Sequence, residues 1–164
     1  MISLSLVILV CVHLVLGVAE TSDENPCPEL WVQGTWVGLG CLLFNTTQKY
    51  TWEGALAYCQ NEDSNLVEIQ FQEQLDFLIM ELDVLADHEG SEYEWWTAGT
   101  DLGKEGRWMW QGSLSPVPQF LWYSSHPNDN NEHNCLMLES GWNYAALDYD
   151  CQYTAMPICQ KHMI

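Results

Sequence analysis

Seven cysteines constrain the fold of this 164-residue chain more than any other feature. That number is high for a cytosolic protein, because disulfides are rare in that compartment. One of the seven, Cys11, lies in an apolar N-terminal stretch. Without it the count is even, which predicts three disulfides in an exported chain. The remaining cysteines are Cys27, Cys41, Cys59, Cys135, Cys151 and Cys159.

The spacing of these cysteines suggests two disulfides but does not fix the pairing. Cys27 is close to Cys41 in the chain, and Cys135 is close to Cys151. Those two pairs would leave the other two cysteines to tie the ends of the domain together. Spacing alone leaves the alternative pairings open.

The first 19 residues have the pattern of a secretory signal peptide. Residues 2–18 contain no charged side chain, and the apolar run 4–16 is shorter than a membrane span. Small residues follow, so we expect cleavage after Gly17 or Ala19. The chain then divides into a signal peptide (1–19), a short acidic lead-in (20–26) and one domain (27–160). The alternative is that the apolar run is a buried strand or helix of the mature domain.

The charge of the chain excludes two classes of partner. It has 23 acidic residues and only 4 basic ones, a formal net charge of −19. Nucleic acids and anionic membrane surfaces are bound by lysine and arginine, which this chain largely lacks. Hydrophobic residues still make up 48% of the chain, enough for a packed core. We therefore expect a folded protein with no nucleic-acid partner. The signal peptide and the lack of a second long apolar stretch predict secretion without a membrane anchor.

The order of the expected elements indicates an α+β fold. Thr51 can cap a helix through Trp52 and Cys59, and apolar residues recur every three or four positions in 71–85, on one helix face that starts at Phe71. Residues 113–134 hold three of the six prolines and have little periodicity, which favours an ordered, functional loop. Strands are expected at residues 96–100, 107–111, 135–138, 146–151 and 156–161.

Several motifs together resemble the long form of the C-type lectin-like domain, in a version common among arthropod lectins. The resemblance runs from about Cys27 to Gln160. It implies an α+β fold with two helices, small antiparallel sheets, long ligand-binding loops and the disulfides Cys27–Cys41, Cys59–Cys159 and Cys135–Cys151. The motifs that carry it are Cys27-Pro28-Glu29-Leu30-Trp31, Cys41, Trp52, Cys59, Trp95-Trp96-Thr97-Ala98-Gly99-Thr100-Asp101, Cys135, Cys151 and Pro157-Ile158-Cys159.

The same resemblance implies a sugar site in which a calcium ion holds hydroxyl groups, and calcium takes about six to eight oxygen ligands. His126-Pro127-Asn128 stands where the family has Glu-Pro-Asn. His133 occupies a usually acidic position, with Glu132 displaced by one, and Asp148 matches the last residue of a Trp-Asn-Asp triplet. Trp142-Asn143-Tyr144 is an alternative, relocated triplet. The implied carbohydrate-binding residues are His126, Asn128, Glu132, His133 and Asp148.

An accessory calcium position is implied by Asp101, Glu105 and Asp129. The alternative interpretation is that Asp101 and Asp129 only cap turns. The complete set of implied calcium ligands is Asp101, Glu105, Asn128, Asp129, Glu132 and Asp148.

Three further hypotheses concern the same loops. His126, His133 and Asp148 could instead bind zinc through two nitrogens and an oxygen. No nucleophile elbow, phosphate loop or His-Glu-x-x-His helix occurs, so we expect no enzyme activity. The aromatic residues Trp122, Tyr123 and Trp142 either stack on sugar rings or fill the loop's own small core.

The sequence and the resemblance together predict a glycan-binding lectin of the innate-immune type, which recognises microbial or foreign surfaces with calcium. Asn128 after proline slightly favours mannose-type sugars. The alternative is a calcium-independent module that binds a protein, suggested by His126, His133 and Leu147 in place of the usual ligands. Asn45-Thr46-Thr47 is a candidate glycosylation site at Asn45.

Overall fold

The structure, a computed structural model, describes residues 26–86, 93–128 and 130–162. The predicted signal peptide, nearly all of the acidic lead-in and the candidate ligand Asp129 lie outside these residues. The helices are α1 (Trp52–Asn61) and α2 (Gln72–Ala86). The strands are β1 (Val32–Gly34), β2 (Gly40–Phe44), β3 (Asn65–Leu66), β4 (Glu94–Thr100), β5 (Met109–Trp110), β6 (His133–Glu139), β7 (Ala145–Asp150) and β8 (Met156–Lys161).

The described strands form one mixed sheet in the order β1-β2-β8-β4-β6-β7, with β3 paired to β8 and β5 paired to β4. These pairings are antiparallel except that of β4 with β8, in which Trp95 lies opposite Met156 and the strands are parallel. Two helices, a small sheet and three disulfides confirm the predicted α+β fold of the C-type lectin-like type. The parallel pair was not predicted, because period-two alternation carries no information on strand direction.

Helix α1 begins as the sequence predicts. The Thr51 hydroxyl accepts a hydrogen bond from the Gly54 backbone N–H at 3.3 Å and satisfies one of the free donors of the first turn. Trp52 and Cys59 are buried on the inner face of the helix. The cap and the apolar face therefore fix both the start and the rotation of α1.

Helix α2 starts one residue later than predicted. Phe71 precedes it and is 63% exposed, so placing Phe71 on the buried face was wrong. The buried Gln74 side chain explains this start, because its Oε1 accepts the backbone N–H groups of Gln70 and Phe71 at 2.7 and 3.2 Å. Leu78 and Leu82 are buried, as the spacing predicts.

The described residues form three disulfides, which are Cys27–Cys41, Cys59–Cys159 and Cys135–Cys151. These are the pairs that the resemblance implies. The pair between α1 and β8 closes a loop with a sequence separation of 100 residues. In the chain-entropy account a loop of that length contributes about 4–5 kcal/mol by restricting the unfolded chain.

Tryptophans hold β4 at the centre of the sheet. Trp95 and Trp96 are fully buried, and the Trp96 indole N–H donates to the Tyr50 carbonyl at 2.8 Å. The Trp52 indole N–H donates to the Thr97 carbonyl, also at 2.8 Å. Burial of each large side chain contributes about 2–3 kcal/mol. The end of β4, from which the candidate site begins, is therefore rigidly placed.

Candidate functional site

The register of the sheet brings several predicted site residues to the same end of neighbouring strands. Thr100, the last residue of β4, lies opposite Cys135 near the start of β6. On the next strand Asp148 lies opposite Leu136. Asp101, His133 and Asp148 therefore occupy the same end of three adjacent strands, and residues 126–128 of the long loop lie beside Asp148.

Asp148 anchors this loop. Its side chain is 1% exposed, and its two oxygens accept the Asn128 backbone N–H at 3.1 and 3.0 Å. Oδ1 also contacts Nδ1 of His126, which must carry the proton of that hydrogen bond because an ionised carboxylate only accepts. The peptide bond between His126 and Pro127 is cis. The carboxylate thus fixes the His126-Pro127-Asn128 triplet to β7 from inside.

Asn128 and His133 present polar groups above this anchor. The Asn128 side chain is exposed, its Oδ1 accepts the Asn130 N–H at 3.0 Å, and its Nδ2 lies 3.3 Å from Nδ1 of His133. The His133 ring stacks on Tyr149, with centroids 5.5 Å apart. The structure therefore brings together four of the five implied sugar-binding residues: His126, Asn128, His133 and Asp148.

Glu132 is the exception. Its backbone N–H donates to Asn130 Oδ1 at 3.1 Å, but within the described part of the chain its carboxylate makes no hydrogen bond or ion pair. Glu132 is exposed in the turn before β6 begins at His133. Glu132 lies one residue before the position that His133 occupies, so its side chain takes no part in the contacts that join the other four residues.

The residues around Asp148 do not fit a calcium ion. Both Asp148 oxygens already accept hydrogen bonds, and the histidines offer nitrogen where calcium requires oxygen. Across residues 26–86, 93–128 and 130–162, no group of three or more His, Cys, Asp or Glu side chains could hold a metal ion. The zinc hypothesis for His126, His133 and Asp148 gains no support from this arrangement either.

Asp101 differs from Asp148 in its contacts. It is 2% exposed, and its Oδ2 accepts the Gly106 backbone N–H at 2.8 Å, so it does cap the turn. Its Oδ1 is buried and has no hydrogen-bond partner among the described residues. Burial raises the pKa of the Asp101 carboxyl, and the nearby charge of Asp148 raises it further. Glu105, the second implied ligand of this position, lies exposed in the same turn.

The triplet Trp142-Asn143-Tyr144 is not a relocated ligand set. It forms the turn between β6 and β7, where Asn143 and Tyr144 have φ of 54° and 55°. Asp148 lies further along β7, towards the other end of the hairpin. Trp142 is 46% exposed and packs on Tyr123, with centroids 4.5 Å apart. The triplet therefore supplies an aromatic surface and no acidic group.

Two hollows adjoin the loop. The first, of about 360 Å³, is lined by residues that include Lys104, Arg107 and Trp110. The second, of about 320 Å³, is lined by Arg107, Trp122 and Pro127 among others. Sequence reasoning assigned no role to Lys104 and Arg107. The available signal was that two of the chain's four basic residues lie in one short turn.

Asn45, the candidate glycosylation site, is 8% exposed. Its Oδ1 accepts the backbone N–H and the hydroxyl of Thr47 at 2.9 and 2.8 Å. Glycosylation of this largely buried side chain stays a prediction.

The described helices include none that combines the length and the apolar character needed to cross a membrane.

Comparison with known proteins agrees with this architecture. The family model of the Lectin C-type domain matches residues 48–161. The chain is 26% identical to C-type lectin domain family 12 member B from Homo sapiens over 149 residues, covering 86% of this chain and 50% of that protein. The chain spans half or less of the length of the curated relatives it matches.

Two solved structures are similar in fold and bear on the site. One is a calcium-independent type II antifreeze protein, with TM-score 0.68 and 25% identity, covering 84% of this chain and 95% of that one. The other is the cow C-type carbohydrate-recognition domain of CD23 in the presence of a GlcNAc2Man3 oligosaccharide, with TM-score 0.68 and 26% identity, covering 85% and 98%. With its fold, its disulfides and a family match over most of its length, this chain belongs to the C-type lectin domain family.

Proposed function

We propose that this chain binds carbohydrate at its long-loop face, the surface formed by His126, Asn128, His133 and Trp142 over the buried Asp148. One observation carries the proposal: Asp148 holds the backbone of Asn128 from inside, so the Asn128 amide stands exposed beside the His133 imidazole. Neighbouring hydroxyl groups of a sugar donate and accept hydrogen bonds, and an amide with an imidazole offers both functions.

Aromatic rings at the edge of this face support a sugar ligand. Trp142 is partly exposed against Tyr123, and Tyr123 in turn lies 6.2 Å from the His126 ring. Aromatic faces can cover the apolar side of a sugar ring while polar neighbours bind its hydroxyls. In the cow CD23 structure, a similar domain was solved in the presence of an oligosaccharide. Mannose-type sugars and glycans of microbial surfaces are the ligands to test first, and secretion is part of the proposal.

Calcium assistance belongs, in this proposal, to the Asp101 position. Asp101 Oδ1 is a buried oxygen that lacks a partner among the described residues, which is the kind of group that a hard cation compensates. Asp101, Glu105 and Asp129 would hold the ion, which supplies positive charge beside two buried carboxylates. Ligands for sugar hydroxyls remain Asn128 and the two histidines.

A glycan array tests the proposal on the secreted chain, probed once with calcium and once with a chelator. We include Asn128→Ala, which removes the amide but keeps the backbone N–H bonds to Asp148. Asn61→Ala, an exposed change at the end of α1, is the matched control. Loss of about one hydrogen bond predicts roughly fivefold weaker binding for Asn128→Ala only.

The outcomes separate the parts of the proposal. Binding lost in chelator supports calcium assistance, whereas binding kept in chelator removes that part and leaves direct sugar recognition. Equal binding by Asn128→Ala and Asn61→Ala would place the site elsewhere. No glycan bound by folded protein in either condition overturns carbohydrate binding.

The second candidate function is calcium-independent binding of a protein. The hydrogen bonds accepted by both Asp148 oxygens favour it, and one protein of similar fold is a calcium-independent type II antifreeze protein. This candidate function predicts that the glycan array shows no binding, either with calcium or with chelator.

A further inference from the structure

Lys104 and Arg107 differ from the chain's other lysine and arginine residues in their side-chain contacts among the described residues. Of the chain's other two, Lys49 pairs with Glu94 at 2.7 Å, and the Lys161 amine lies 5.2 Å from the centre of the Trp31 ring. Lys104 and Arg107 are exposed, and neither has an ion-pair partner in the described part of the chain. Their positive charge is therefore available to a ligand.

The turn that carries these two residues is well fixed. The Lys104 backbone N–H donates to the Asp101 carbonyl at 2.8 Å, and the Arg107 N–H donates to the Lys104 carbonyl at 2.9 Å. Asp101 Oδ2 holds the Gly106 N–H from inside. Preorganisation of this kind reduces the entropy lost when a ligand binds.

Arg107 connects the two hollows. It lines the first with Lys104 and Trp110, and the second with Trp122 and Pro127. Pro127 is the middle residue of the triplet that presents Asn128, so the second hollow adjoins the long-loop face. Both volumes, about 360 and 320 Å³, lie within the range of small-ligand sites.

Trp110 is one of the residues that line the first hollow. Trp110 is fully buried, and its indole N–H has no hydrogen-bond partner among the described residues. Buried donors without a partner are uncommon because they lose their hydration. Because Trp110 has no exposed surface, it bounds the hollow, and Lys104 and Arg107 are the charged side chains of the lining that can contact an anion.

We propose that Lys104 and Arg107 bind an anionic substituent, a carboxylate or a sulfate ester, on the glycan that occupies the long-loop face. This inference rests on the carbohydrate binding proposed above. A planar guanidinium pairs with two oxygens of either group, and the lysine amine adds a second charge. The ligand class is therefore an acidic glycan.

The charge of the whole chain limits the size of that glycan. A net charge of −19 repels a long polyanion, and salt screens charges only beyond about 8 Å at physiological ionic strength. We therefore expect preference for a short glycan with one or two anionic groups, and no retention on heparin at physiological salt.

Matched glycans test the inference: one neutral oligosaccharide, the same compound with a carboxylate, and the same compound with a sulfate ester. We expect wild-type protein to bind at least one acidic form about tenfold more tightly than the neutral form. The acidic form that binds more tightly shows whether the substituent is a carboxylate or a sulfate ester. The double variant Lys104→Gln/Arg107→Gln should lose this preference and keep its affinity for the neutral form.

The control is Lys49→Gln/Lys161→Gln, which changes the net charge equally and leaves both hollows intact. It should retain the acidic preference. Equal affinity of wild-type protein for neutral and acidic forms, or a preference that survives in Lys104→Gln/Arg107→Gln, overturns the inference. Retention on heparin at physiological salt contradicts the size limit. Binding to none of the three glycans is a failure of the proposed carbohydrate binding itself, so the two failures are distinguishable.

Discussion

The buried carboxylates of Asp148 and Asp101 lie at neighbouring positions of the same sheet edge, and they differ in what they contact. Asp148 accepts hydrogen bonds at both oxygens, from the Asn128 backbone and from His126. Asp101 accepts one bond from Gly106, and its other oxygen has no partner in the described part of the chain. The two carboxylates are thus almost equally buried, but only Asp148 has hydrogen bonds at both oxygens.

This difference indicates that the two carboxylates have separate roles in this chain. With His126 in the triplet, Asp148 works as an internal anchor for the loop, and both of its oxygens accept hydrogen bonds from that loop. Asp101 keeps an uncompensated oxygen, which a proton or a cation would stabilise. The comparison predicts that substitutions at the two positions have opposite effects on stability.

Asp148→Asn should have the largest effect. The amide replaces one acceptor oxygen by a donor, which leaves buried donors from Asn128 or His126 unsatisfied. We expect a loss of about 2 kcal/mol and a fall in Tm of about 4–8 °C. Thermal and urea unfolding measure it, with the exposed Asp150→Asn as a control that stays within about 0.5 kcal/mol. Equal stability of the two variants would show that Asp148 is not an anchor.

His126→Ala should have an intermediate effect. It removes one of the contacts to Asp148, while the Asn128 backbone N–H still donates to both carboxylate oxygens. A loss of about 1 kcal/mol is expected from urea unfolding. His162→Ala, an exposed change after β8, should cost almost nothing. A loss larger than that of Asp148→Asn would mean that His126 carries the loop through other contacts.

Asp101→Asn should have the smallest effect and the opposite sign. A carboxyl whose folded pKa is raised binds protons more strongly in the folded state, so its stability contribution falls as pH rises from the unfolded to the folded pKa. The neutral amide avoids this cost, and without calcium the variant should be the more stable protein at pH 7. Urea unfolding from about pH 7 down to pH 4 should show the gap closing. A less stable variant at pH 7 would contradict the comparison.

The same two proteins, wild type and Asp101→Asn, can be compared by thermal unfolding with and without calcium. A ligand that binds only the folded state raises Tm. We expect calcium to raise the Tm of wild-type protein and not that of Asp101→Asn. An unchanged calcium response in Asp101→Asn would show that the ion does not depend on Asp101.

The fold could be predicted further than the site. Helix α1 follows from the Thr51 cap and its buried face, and β8 has the predicted bounds, 156–161. The parallel pairing of β4 with β8 depends on the assembled sheet, and the exposure of Phe71 depends on where the Gln74 side chain caps α2. Neither is contained in the local pattern that defines the element.

The prediction of the site was also limited to what a local sequence motif contains. Matching to the family's motif selects His126, Asn128 and Asp148, yet only the structure shows the Asp148 oxygens occupied by residues about twenty positions earlier in the chain. A ligand list taken from a motif assumes that each carboxylate is available. Here the neighbours of a carboxylate decide whether it can bind a ligand.

An NMR titration tests the central claim most directly, that the exposed Asn128 amide over Asp148 contacts sugar. Labelled protein is titrated with the neutral glycan that binds best on the array, and side-chain amide signals are followed. We expect the largest shifts at the Asn128 amide and the His133 ring, with the Asn61 amide unchanged. Shifts confined to residues outside the long-loop face, with Asn128 and His133 unmoved, would contradict it.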